Sequence, residues 1–222
     1  MLNRIMKLFL GACVALFFGG LSHGETLQIK SIDALKTHLK DRQYTPADMV
    51  VFDVDMVLTM PQSPVFHLPT LKKYKQDFRR FLKGIPLKQH DLVLLYILMH
   101  SPQIPTHEKM VGLVRELQKE KVMVVYLTAC LTGSFVQMSN AAEWRAYSLA
   151  SAGYEIQNTP AEGLSYKNFS KHLGSYPKRA GNLLMTNGAQ GGIDKGMLLV
   201  HYLQEKSLTP RRLVMVDDRL TN

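Results

Sequence analysis

Three short apolar runs, each ending in a hydrophilic side chain, constrain this chain more than any other feature. Met49 to Val54 (MVVFDV) follows Pro46 and is ended by acids, Val122 to Leu127 leads into Thr128, and Leu213 to Val216 leads into Asp217 and Asp218. Rich in β-branched residues and lacking polar alternation, the first two fit buried strands, as in a parallel sheet, and the third reads as a last strand. The segments between them read as helices. Glu108 to Glu120 sets Met110, Leu113, Val114 and Leu117 on one face; Ala141 to Ala152 ends at Gly153, a C-cap candidate; Gly196 to Lys206 carries Leu199, Tyr202 and Leu203 on one face. Ser31 opens a further short helix containing Leu35 and Leu39. Leu183 to Thr186 reads as a short strand before the Asn187-Gly188 turn, or alternatively as a hairpin arm. Alternating strands and helices predict an α/β fold with a mainly parallel sheet.

At 222 residues, with 46% apolar and 20% charged side chains, the chain suits one globular domain with a small insert rather than a disordered or fibrous protein. Lysine and arginine number 27 against 18 acids, a net charge of +9 that favours anionic ligands. The basic residues Lys72, Lys73, Lys75, Arg79 and Arg80 read as a solvated helix face. No module for reading bases accompanies them, so no nucleic-acid partner is expected. Residues Met1 to Gly24 have Arg4 and Lys7 before the apolar run Leu8 to Leu21, no acid, and small residues flanking a cut before Glu25. This is the pattern of a secretory signal peptide, with an apolar run shorter than the about 20 residues a membrane span needs. An exported protein, periplasmic or secreted, with no stable membrane anchor after cleavage is the expectation. Cys13 lies in the leader, which leaves Cys130 without an internal disulfide partner and reads it as a small buried apolar side chain.

Residues 60 to 106 read as a helical insert. Met60 to Pro69 is rich in Pro and Ser; Leu71, Tyr74, Phe78, Phe81 and Leu82 then recur at helical spacing amid Lys and Arg; Asp91 to Met99 is a second helix, closed by Pro102 and Pro105. His67, His90, His100 and His107 lie in or beside it without tight metal-ligand spacing and read as ordinary surface or packing residues. Core packing is likewise the expectation for Tyr96 and Trp144.

In an open parallel sheet, ligands collect beyond the carboxyl ends of the strands. Asp53 with Asp55, Thr128, and Asp217 with Asp218 all fall at that edge. Two carboxylates at i and i+2 repel one another unless a cation or hydrogen-bond donors compensate. Hard oxygen donors gathered this way suit Mg²⁺.

These residues, in this order, resemble the four motifs of the haloacid dehalogenase-like (HAD) superfamily of phosphatases and phosphotransferases. The first is Val50-Val51-Phe52-Asp53-Val54-Asp55-Met56-Val57 and the second Val124-Val125-Tyr126-Leu127-Thr128. The third, a lysine at a helix start, best matches Lys195, with Lys167 and Lys171 as rivals; the fourth is Val214-Met215-Val216-Asp217-Asp218. The resemblance runs from about residue 45 to the end, and the layout Thr-Asn-Gly, Asp-Lys-Gly, Val-Asp-Asp looks most like a group of exported bacterial proteins within the superfamily. It implies a Rossmann-like three-layer sandwich formed by 25–59 and 107–222, with 60–106 as a cap that selects the substrate. It further implies that Asp53 attacks phosphorus, Asp55 acts as general acid and then base, Thr128 donates to a phosphoryl oxygen, and Lys195 offsets charge. Mg²⁺ would be held by Asp53, the backbone carbonyl of Asp55 and Asp217, with or without Asp218. Asp55 argues for phosphate esters over carbon–halogen bonds, because a halide leaves without a proton. The substrate class expected is a small phosphate monoester.

The chain ends at Asn222, four residues after Asp218, where superfamily members usually continue through another helix and an edge strand. Two expectations follow: a partner chain or second copy at an exposed sheet edge, and, as the alternative function, a secreted HAD-like binding protein with weak or no catalysis.

Overall fold

Five consecutive buried residues, Met49–Asp53, form strand β1, and a strand enclosed on both faces belongs inside its sheet, with a neighbour on either side. Its neighbours are β4 (Met123–Thr128) and β8 (Leu213–Val216), both parallel to it. Beyond β4 lies β7 (Leu183–Met185), also parallel, followed by two antiparallel strands, β6 (Lys178–Ala180) and β5 (Leu164–Ser165). The strand order is β5-β6-β7-β4-β1-β8. The protein is thus α/β with a mainly parallel central sheet. Both readings of Leu183 to Thr186 hold in part, since β7 is parallel to β4 and is also one arm of a hairpin with β6.

The structure is a computed structural model that describes residues 24–135, 140–157, 163–189 and 191–218, with the backbone alone at 66, 68, 69, 71 and 88. The chain divides into two units, residues 1–35 and 36–222. Ser31 caps helix α1 (Ile32–Asp41), which begins in the first unit and continues into the second, its Oγ accepting the Ala34 N–H at 3.1 Å. The leader expected over 1–24, with Cys13, falls on residues 1–23 and so lies outside the described residues. Among the described residues no helix is long and apolar enough to cross a membrane.

The second unit holds the sheet, the insert and the acids. A small antiparallel ribbon, β2 (Thr59–Pro61) with β3 (Gln103–Pro105), opens and closes the insert, pairing Thr59 with Pro105 and Pro61 with Gln103. The sequence reading did not foresee this ribbon. Its prolines are tolerated because each ribbon strand has only one neighbour. Between its strands come α2 (Leu68–Lys73), α3 (Lys75–Lys83) and α4 (His90–Met99). The single amphipathic helix expected through Tyr74 is instead broken there, at φ −101° and ψ 15°. The break falls within Lys72-Lys73-Tyr74-Lys75, where an unbroken helix would set Lys72 and Lys75 on one face as like charges.

After the ribbon come α5 (Glu108–Lys119), α6 (Ala141–Ser151) and α7 (Lys195–Glu205), each within a residue or so of its expected bounds. Leu198, Leu199 and Tyr202 of α7 pack with Met49, Val51, Val125, Leu127 and Leu184 on one face of the sheet. The alternate residue Tyr126 points the other way, where its hydroxyl accepts from Gln118 of α5 at 3.2 Å and donates to the Glu155 carbonyl at 3.0 Å. At the amino ends of β1 and β8, the buried Asp48 carboxylate is gripped by the guanidinium groups of Arg211 and Arg212, each with a contact of 2.8 Å. The other end of the sheet carries the chemistry.

Candidate functional site at the carboxyl ends of the strands

Strand register decides which side chains meet. Phe52 pairs with Val216, Asp53 with Leu127, and Thr128 with Met185. Asp53, Thr128 and Asp217 therefore emerge side by side at one rim. The chain turns back immediately after Asp55: the Met56 N–H donates to the Thr59 carbonyl at 2.8 Å, and the Leu58 N–H to the Val54 carbonyl at 3.0 Å. Met56 takes φ 67°, a left-handed conformation that a bulky side chain adopts only under constraint.

Asp53 is buried at the end of β1. One carboxylate oxygen accepts the Val54 N–H at 2.7 Å, and the other lies 3.0 Å from Lys195 Nζ. Lys195 also reaches Asp217 at 3.2 Å. It sits at the first position of α7, whose N-cap Asp194 accepts the Met197 N–H at 3.1 Å. The packing of α7 on the sheet thus aims the lysine across the strand ends. The rivals Lys167 and Lys171 are both exposed, and Lys171 lies over the Tyr176 ring instead. Burial raises the Asp53 pKa to about 6; Lys195 opposes the rise, while Asp55 and Asp217 add to it.

Carboxylate oxygens of Asp53, Asp217 and Asp218 lie within 4.8 Å of one another, the group among the described residues with the composition to hold a metal ion. The Asp55 side chain is not part of it. One Asp55 oxygen accepts from Arg145 at 2.8 Å and the other from the Thr128 hydroxyl at 3.0 Å. Thr128 is enclosed and also accepts the Cys130 N–H at 3.1 Å, so its hydroxyl is committed to Asp55 in this arrangement. Any Asp55 contribution to a metal would come from the backbone carbonyl.

Arg145 is the site residue that sequence reasoning missed. It is fully enclosed; among the described residues its Nε and Nη1 have no hydrogen-bond partner and its ion pair is with Asp55. A signal was present in the sequence: Ala141, Ala142, Arg145, Ser148 and Leu149 form the buried face of α6, which puts a charge on an apolar stripe. Asp91 was also overlooked. From the insert helix α4 it accepts the Ala189 N–H at 3.1 Å and meets His172 Nε2 at 3.2 Å. Cys130 is buried as expected, and its enclosure pushes the thiol pKa up.

The four histidines near the insert serve the backbone. His67 and His100 each meet a carbonyl, His90 meets those of Leu82 and Ile85, and His107 caps α5. Trp144 packs beside Leu95, Cys130 and Leu131. Core packing does not describe Tyr96, which is 47% exposed and meets the His100 ring at a tilt, because that face of α4 is left uncovered by the described residues of the insert.

Above the acids lies a cavity of about 750 Å³. Asp53, Asp55, Arg145 and Lys195 line one part of it; Phe78, Phe81, Leu94, Leu95 and Leu98 of the insert line another. Residues 28–222 match the family model described as a protein of unknown function (DUF2608), and the chain belongs to that family. No match is found among curated proteins or among solved structures.

Proposed function

We propose that this member of the DUF2608 family is an exported, Mg²⁺-dependent phosphohydrolase with a Rossmann-like three-layer core of the HAD type, acting on phosphate monoesters. The observation that carries this reading is the buried Asp53 carboxylate, 3.0 Å from Lys195 and grouped with Asp217 and Asp218 on the wall of a ligand-sized cavity. The carboxylates of Asp53, Asp217 and Asp218 gather there within 4.8 Å of one another. Such an all-oxygen donor set fits Mg²⁺. Asp53, Asp217 and Asp218 would hold it, with the Asp55 carbonyl. When bound, it would neutralise phosphoryl charge that otherwise repels the nucleophile.

The remaining chemistry belongs to the chain. An Asp53 oxygen forms a bond to phosphorus as the ester oxygen leaves with a proton from Asp55, giving an aspartyl-phosphate and an alcohol. Asp55 enters the step as the free acid and so must first part from one of its two donors. Asp55, now a carboxylate, takes a proton from water. That water attacks phosphorus, releasing inorganic phosphate and restoring Asp53. Lys195 holds Asp53 in line and offsets charge on the transferred group. Arg145 and Thr128 fix the Asp55 side chain, and Thr128 would donate to a phosphoryl oxygen only by releasing Asp55.

The purified chain should hydrolyse an aryl phosphate with Mg²⁺ and lose activity in chelator. Asp53→Asn should abolish turnover while leaving the circular dichroism spectrum intact, and equal activity in that variant would remove the assignment. The double engagement of Asp55 favours a second reading, a HAD-like binding protein without turnover. Phosphate binding by a folded but inactive wild type would select it.

A further inference from the structure

We infer that the cavity takes a phosphate monoester whose leaving group is an apolar chain or ring, with the insert as the binding wall for that group. The inference rests on the phosphohydrolase reading and adds the substrate class. The cavity, about 750 Å³, is the size of a pocket for a drug-sized molecule, well beyond what a phosphate group alone fills.

Its chemistry is divided. At the acid cluster the lining is charged. On the insert it is carried by Val65, Phe78, Phe81, Leu94 and Leu98. Val65 and Phe81 are 60% and 55% exposed, large apolar groups left facing water on an otherwise basic insert. Apolar surface gathered around a cavity marks a place where something apolar binds. Charge excludes the competing substrates. The basic side chains among the described lining residues are Lys195 and Arg145, each already paired with a carboxylate at the acid cluster. On the insert the charged lining groups among the described residues are Asp77, paired with Arg80, and Asp91, engaged by the Ala189 N–H and His172. A second phosphate or a carboxylate on the leaving group would meet no uncommitted basic group among the described lining residues, so nucleoside diphosphates and sugar bisphosphates fit poorly. An aliphatic or aromatic alcohol would bury its surface against Phe78 and Phe81, whose rings stack at 6.3 Å.

The test uses the full chain with Mg²⁺ and two probe series. Calorimetry would measure binding of non-hydrolysable n-alkylphosphonic acids from methyl to octyl, with phenylphosphonic acid as the aromatic arm. Turnover of the matching alkyl phosphates would be measured beside glycerol phosphate. Affinity and kcat/KM should rise about three- to fourfold per added methylene until the cavity is filled. Phe81→Glu and, independently, Val65→Asp replace exposed side chains and should flatten that gradient, with the loss growing as the chain lengthens. A flat series, or a preference for glycerol phosphate, would overturn the inference. So would a Phe81→Glu variant that keeps the gradient but changes the association state, since the apolar face would then belong to a second copy. Hydrolysis with a flat gradient counts against the substrate class alone, and a steep binding gradient without hydrolysis counts against turnover alone. Absence of binding by every probe counts against both.

Discussion

Arg145 and Asp55 form one ion pair, but they do not share its environment. The arginine is fully enclosed and two of its nitrogens lack partners among the described residues, whereas the Asp55 side chain is 37% exposed and keeps the Thr128 hydroxyl. Removing the aspartate would strand a buried cation; removing the arginine would leave a carboxylate that still meets water. Asp55→Ala should therefore lower unfolding stability by about 3 kcal/mol or more, and Arg145→Met by clearly less. Urea unfolding of both variants checks this, and equal or reversed costs would contradict the assigned environments. Both variants should also lose turnover, Arg145→Met because Asp55 is no longer held. At this scale the sequence was legible where a residue ends or follows a strand, as Asp53, Asp55, Thr128 and Asp217 do, or opens a helix, as Lys195 does; all come to one rim. It was not legible where the partner comes from far along the chain, as Arg145 does, 90 residues after Asp55.

The elements depend on a few polar ties. Asp91 on α4 holds the insert to the loops carrying Ala189 and His172. The fit needs glycine at 188: a Cβ there, at φ 112°, would fall 2.6 Å from an Asp91 carboxylate oxygen. Asp91→Ala should cost about 2 kcal/mol and raise amide hydrogen exchange across His90–Met99 while leaving β1 and β4 protected. Uniform loss of protection, or none, would show that Asp91 is not a local tie. The parallel strands β1 and β4 were readable because enclosure on both faces demands uninterrupted apolar residues, whereas β8 is equally apolar but partly exposed at the edge of the sheet. The β2–β3 ribbon, β5 and β6 were not, since strands of two or three residues carry too little pattern, and the break at Tyr74 is invisible to a periodicity that continues through it.

Across the whole molecule, the two ends of the sheet do opposite work. At the amino rim, Arg212 and Arg211 hold the Asp48 carboxyl well below the usual carboxylate range. Asp48 therefore contributes stability above the ordinary carboxylate pKa of about 4, lost as pH falls through its lowered folded value. At the carboxyl rim, Asp53 is raised to about 6 by burial. Between about pH 4 and 6 Asp53 binds more of a proton in the folded metal-free chain than in the unfolded one, so its contribution to stability falls as pH rises through that window. A buried carboxylate that weakens the fold as it ionises is the expected signature of a place meant for a cation. The most direct test is thermal unfolding against Mg²⁺ concentration at pH 8, for wild type and Asp217→Asn. A saturable rise in Tm of about 3–5 °C at ten times the dissociation constant is expected for wild type, with little or none in the variant. A wild-type Tm indifferent to Mg²⁺, or the same rise in Asp217→Asn, would contradict the account.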